Sequence, residues 1–149
     1  MLSEIIKKIA CMICREELRP PVSDKSIKID ELRRLLRGQF PDAQIFLSDM
    51  DYKLCSIDDV NYFLKQDKTD KIKYQREYWD CDDASYRLLG QFSIPGWSAL
   101  CFGICWSDLH SLNCFLDEAK QFWFVEPQKD TIQKNLSEWQ GSKIRLIII

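Results

Sequence analysis

At 149 residues the chain has the length of one domain and can bury roughly two-thirds of its unfolded surface without disulfide staples. Its 46% hydrophobic and 30% charged content is ordinary globular usage, and 21 basic against 23 acidic residues leave a net charge of −2. That balance, with no basic block or tail, excludes a phosphate-binding surface, so nucleic acid is not an expected partner.

The seven cysteines are an odd number, which argues against a disulfide framework. The opening residues Met1-Leu2-Ser3-Glu4-Ile5-Ile6-Lys7-Lys8 place charges where a secretory leader needs an unbroken apolar run. No apolar run is long enough to cross a bilayer, so no membrane partner is expected. These features point to a reducing, cytoplasmic setting, with a phage- or host-associated one as the alternative.

Leu2, Ile5, Ile6, Ile9 and Ile13 recur at helical spacing and predict an amphipathic helix over residues 2–18, stopped by Pro20-Pro21. Asp30 can cap a short helix through Leu35 and Leu36, ended by Gly38. Residues 43–47 read as a short strand. Ser56-Ile57-Asp58-Asp59 has the form of a capping box, and Val60, Phe63 and Leu64 give the helix behind it a buried face. Residues 67–73 read as a charged loop. Asp80 is the expected N-cap of a helix carrying Cys81, Ala84, Leu88 and Leu89, ended by Gly90. Three strands then follow at 99–106, 110–116 and 122–125. Asp117-Glu118-Ala119-Lys120 makes the turn between the last two, and residues 143–149 form a closing strand. Helices first and strands later predict an α+β fold, with the helices on one face of an antiparallel sheet. The expected organisation is one domain over 1–149, with residues 1–40 as a helical extension and 41–149 as the core.

Cys81 at a helix start, His110 at a strand start and Glu126 at a strand end are the residue types of a nucleophile, a base and an orienter. A helix N-terminus and a nearby imidazolium both favour thiolate over thiol. Residues near the start of one antiparallel strand and the end of the next lie side by side, so the expected topology brings His110 to Glu126. The Cys81 backbone N–H is the expected first donor of an oxyanion hole. All five tryptophans are expected to serve the core, and Trp79 and Trp97 also to line a substrate cleft. Asp80, Asp82 and Asp83 suit helix capping, and a cation bound there would neutralise them.

Cys11-x-x-Cys14 has no second pair to complete a structural zinc site, so packing is the expected role there. Cys101, Cys105 and Cys114 share strand faces and are expected to fill the core.

At Tyr78-Trp79-Asp80-Cys81-Asp82-Asp83-Ala84, Phe102-Gly103-Ile104-Cys105-Trp106, His110-Ser111-Leu112-Asn113 and Val125-Glu126-Pro127-Gln128 the chain resembles a known family. With Leu47-Ser48-Asp49-Met50-Asp51-Tyr52, these stretches are similar to the papain-like cysteine peptidase domain that forms the C-terminal part of the mushroom (Marasmius oreades) agglutinin. Small bacterial and phage proteins carry the same domain. The resemblance implies a papain-like fold and a Cys–His–Glu triad of Cys81, His110 and Glu126. It implies hydrolysis of a peptide or protein substrate through an acyl-thioester, with amidase or transglutaminase chemistry on the same residues as variants. It also implies calcium, with Asp82 and Asp83 as the nearest ligands. The alternative from another class is a catalytically inactive binding or structural protein of the same fold.

Overall fold

The computed structural model describes residues 18–149. The helix expected over 2–18, with Cys11 and Cys14, lies outside the described residues apart from its last position.

Strand β1 (Ser26–Lys28) runs straight into helix α1 (Ile29–Gln39), followed by β2 (Gln44–Phe46) and β3 (Asp51–Lys53). Helix α2 (Ile57–Gln66) and helix α3 (Cys81–Phe92) come next. Strands β4 (Phe102–Ser107), β5 (Ser111–Leu116), β6 (Phe122–Glu126), β7 (Thr131–Gln133) and β8 (Ile144–Ile148) complete the chain. Short 3-10 turns lie at Thr69–Lys71 and Glu138–Gln140.

Six strands form one sheet in the order β2-β8-β4-β5-β6-β7, and β1 pairs with β3 in a separate small sheet. All pairs of the large sheet are antiparallel except β2 with β8, which is parallel. The mixed α+β class is as expected. The arrangement of layers is not: helices cover both faces of the sheet. Leu32 and Leu36 of α1 share a cluster with Cys105, Leu112, Cys114, Phe122 and Phe124 on one face. Val60, Phe63, Leu88 and Phe92 of α2 and α3 pack with Phe102, Phe115 and Val125 on the other. Strand β5 is buried at all six positions, as a strand covered on both sides must be. Gly103 is required where β4 meets β8, because a Cβ there would fall on the Ile148 carbonyl oxygen.

Ser56 caps α2 as expected, its hydroxyl accepting from Asp59 N at 3.1 Å. Helix α1 begins one residue before Asp30, on Lys28 as an N-cap without a side-chain bond. Helix α3 runs past Gly90 to Phe92, which stacks on Phe102 at 3.7 Å between ring centroids. That packing outweighs the helix-weakening effect of the glycine. Among the described residues no helix is long and apolar enough to cross a membrane.

Candidate functional site

Helix α3 starts at Cys81, with Asp80 as its N-cap. The Asp80 N–H donates to Asp83 Oδ2 at 3.2 Å, the reciprocal half of a capping box. Cys81 is thus the first helical residue, and its own N–H has no intrahelical acceptor. Asn113 of β5 clamps this helix to the sheet. Its Nδ2 donates to Ser85 O at 3.0 Å and to Gly103 O at 3.1 Å, joining α3, β4 and β5 at one buried point.

The β4–β5 turn delivers His110. The Ser107 hydroxyl accepts from the backbone N–H groups of Leu109 and His110 at 3.0 and 2.8 Å, which shapes that turn. His110 Nε2 meets Glu126 Oε2 at 2.8 Å, and the side chains are 8% and 2% exposed. Burial pulls the imidazole's proton affinity down, but hydrogen bonding to Cys81 and to Glu126 and the charge of both outweigh it, lifting its pKa to about 9. Burial pushes Glu126 up, yet His110, Gln140 and the Gln128 N–H together hold it below the usual carboxylate range. Cys81, His110 and Glu126 are therefore brought together as the sequence suggests.

Trp97 is not at this place. It is 1% exposed, packs against Phe63 and Phe92, and donates from Nε1 to Arg19 O. The cavity it helps line, with Ser48, Tyr52, Phe92 and Ile149, includes none of Cys81, His110 or Glu126. The expectation that Trp97 lines a cleft beside Cys81 is corrected: aromatic packing has taken it into the core. Trp79 stays beside Cys81, half-buried on a loop closed by Gln75 N donating to Trp79 O at 2.8 Å.

Trp139 departs from its expected core role in the opposite direction. It is 52% exposed, and its ring lies 4.8 Å from that of His110. With Ile72, Tyr74, Gln128 and Lys129 it lines an open depression beside the imidazole, and the Lys129 ammonium sits over the indole at 5.0 Å. Behind it, the buried Gln140 donates to Glu126 Oε2 at 2.9 Å. Sequence reasoning passed over Gln140 and misread Trp139. The signal available was Ser137-x-x-Gln140 followed by Gly141, a capping-box pattern with a helix-stop glycine.

Acidic groups crowd the N-terminus of α3. A hydrogen bond shared between Asp80 and Asp82 lowers the first carboxyl and raises the second. Oxygens of Asp80 and Asp82 lie within 4.8 Å of each other and of the Cys81 sulfur. Asp83 is engaged in the cap, so the expected Asp82–Asp83 pair is not the one the fold presents.

No protein-family model matches the chain, and no curated protein sequence matches it. Among solved structures it is similar to a PSL1a–E64 complex, at 20% identity and a TM-score of 0.73, over 83% of this chain and 50% of that one. It is also similar to Polyporus squamosus lectin bound to the influenza-binding epitope Neu5Acα2-6Galβ1-4GlcNAc, at 20% identity and a TM-score of 0.68, over 83% of this chain and 49% of that one. The likeness shows a shared fold, and the chain spans about half the length of these structures. The expectation of a cysteine peptidase enzyme is corrected on this finding: one of these structures of the same fold is a lectin bound to a sugar epitope. The hydrolase and thiol-protease description and the peptide substrate fall with it.

Proposed function

We propose that this chain is a ligand-binding protein of papain-like architecture, and that its ligand is a carbohydrate held on the open face beside His110. The observation that carries this reading is the depression lined by Trp139, Tyr74, Gln128 and Lys129. A half-exposed indole offers a flat apolar plate to the C–H face of a sugar ring, and the neighbouring amide and ammonium suit its hydroxyls or an acidic substituent. The lectin bound to a sialylated epitope supports the choice of ligand class. The papain-like architecture is supported by a helix that opens on a cysteine and packs on β4 and β5, with His110 just before β5 and Glu126 at the end of β6. Calorimetric titration with Neu5Acα2-6Galβ1-4GlcNAc, and with the same glycan lacking Neu5Ac, tests the reading. Saturable binding weakened about tenfold or more in Trp139→Ala is expected, a loss of about 1.4 kcal/mol or more. No saturation at millimolar glycan would overturn it.

One observation favours a second ligand on the same face. Cys81 lies close enough to His110 to raise its proton affinity, and Glu126 Oε2 lies 2.8 Å from the ring's Nε2. A structure of the same fold is a complex with E64. We propose that Cys81, His110 and Glu126 form the polar floor of the face, and that E64 raises the melting temperature of wild type but not of Cys81→Ala. Calcium belongs to this proposal through Asp80 and Asp82. Their carboxylate oxygens lie within 4.8 Å of each other and are the hard donors a divalent cation prefers.

A further inference from the structure

Gln140 closes the 3-10 turn Glu138–Gln140 and is 1% exposed, directly after the exposed Trp139. Both ends of its amide are used. Oε1 accepts from the Ser137 backbone N–H at 3.0 Å, from the Ser137 hydroxyl at 2.8 Å and from Gln133 Nε2 at 2.5 Å. A backbone N–H can only donate, so this end of the amide is the oxygen. The nitrogen is thereby turned to Glu126 Oε2, the same oxygen that meets His110 Nε2. The main chain repeats the link. The Ser107 hydroxyl donates to Gln140 O at 2.5 Å and accepts from His110 N at 2.8 Å. His110 is therefore tied to Gln140 twice, through its ring by way of Glu126 and through its backbone by way of Ser107.

We infer that Gln140 is a positioning residue: it fixes the Glu126 carboxylate on the His110 ring, and so sets how firmly the imidazole keeps its proton opposite Cys81. A carboxylate held at one oxygen by two donors cannot swing away from either, and its charge stays aimed along the bond to Nε2. The groups facing the ring are Cys81 from α3, Glu126 from β6 and the Trp139 indole, with Lys129 beyond that indole. The inference rests on the reading of Cys81, His110 and Glu126 as one site. A merely structural Gln140 would support the turn and leave the ring's proton affinity alone.

The chain has one histidine, so its ring resonances are unambiguous in a pH titration followed by NMR. Wild type is expected to titrate at about 9. In Gln140→Leu the midpoint falls by roughly one pH unit or more, a tenfold loss of proton affinity. Glu126→Gln lowers it at least as far, and adding Gln140→Leu to Glu126→Gln moves it no further, because Gln140 acts through that carboxylate. A folded Gln140→Leu protein that titrates as wild type does overturns the inference. A wild-type midpoint near the ordinary 6.5 overturns instead the site reading beneath it. Where Gln140→Leu does not fold, the wild-type side-chain amide is the readout. Its N–H resonances shift with the His110 midpoint, and a flat response across that range is the overturning result.

Discussion

The charge on His110 is set by opposing effects of its surroundings. Burial alone would strip its proton; Cys81 and Glu126 more than restore it, up to about 9. Its contribution to stability is fully present below the ordinary value of 6.5 and is lost as pH rises through about 9. Asp130 shows the reverse for an acid. Burial, with Asp70 and Asp67 nearby, lifts it from 3.8 to about 6. A carboxyl raised in the folded state favours folding while protonated, below 3.8, and that contribution is lost as pH rises through about 6. Above that range the ionised group opposes folding. Asp130 also holds φ at 51°, a left-handed conformation that asparagine tolerates well. Asp130→Asn should therefore melt higher than wild type at about pH 8 and level with it at about pH 4. Thermal denaturation at the two values checks this, and a lower melting temperature at the higher pH would sink it.

Among the elements, Asp59 shows how a cap reaches beyond its helix. It occupies the first turn of α2, where its N–H donates to Ser56 Oγ, yet its carboxylate is fully buried and turned outward from the helix. There it accepts from Arg19 Nη1 at 2.6 Å and from the N–H groups of Val22 and Ser23 at 2.9 and 3.3 Å. Asp59→Ala should cost about 2–4 kcal/mol, since it removes three hydrogen bonds accepted by a fully buried carboxylate. Arg19→Ala should cost less, because that side chain is 38% exposed and the two backbone N–H groups still hold the carboxylate. Urea denaturation measures both, and equal losses would contradict the account. Ser56 and Asp80 were legible as caps because a cap is a local bond between near neighbours. The pairing of β1 with β3 was not, since three-residue strands leave no periodicity and their register is set across the chain. Helices on both faces were missed because Ser111-Leu112-Asn113-Cys114-Phe115-Leu116 mixes polar residues into a strand buried on both sides. Of its polar residues, Asn113 clamps α3 to the sheet. Cys81, His110 and Glu126 could be read from residue type and order. Trp139 and Gln140 could not, because what matters there is which of two neighbours is buried.

On the scale of the whole molecule, the large sheet separates two apolar layers that share only its strands. The site lies where both must agree. Cys81 comes from α3 in one layer, while His110 sits just before β5 and Glu126 ends β6, strands whose Leu112 and Phe124 pack into the other. If the strands transmit packing across the sheet, damage to either layer should loosen both. Leu112 and Phe115 of β5 are fully buried on opposite faces. Leu112→Ala should cost about 2–5 kcal/mol and Phe115→Ala about 3–5 kcal/mol, the usual range for a large side chain removed from a packed core. The informative measurement is native-state hydrogen exchange at Leu36 in α1 and Leu88 in α3, one residue from each layer. Cooperative layers open in the same global event, so Leu112→Ala should lower the protection of both amides by the same free energy. Protection lost at Leu36 alone would mean that the α1 layer opens by itself. The alignment of His110 with Cys81 would then depend on the clamp at Asn113 and not on the sheet as a unit.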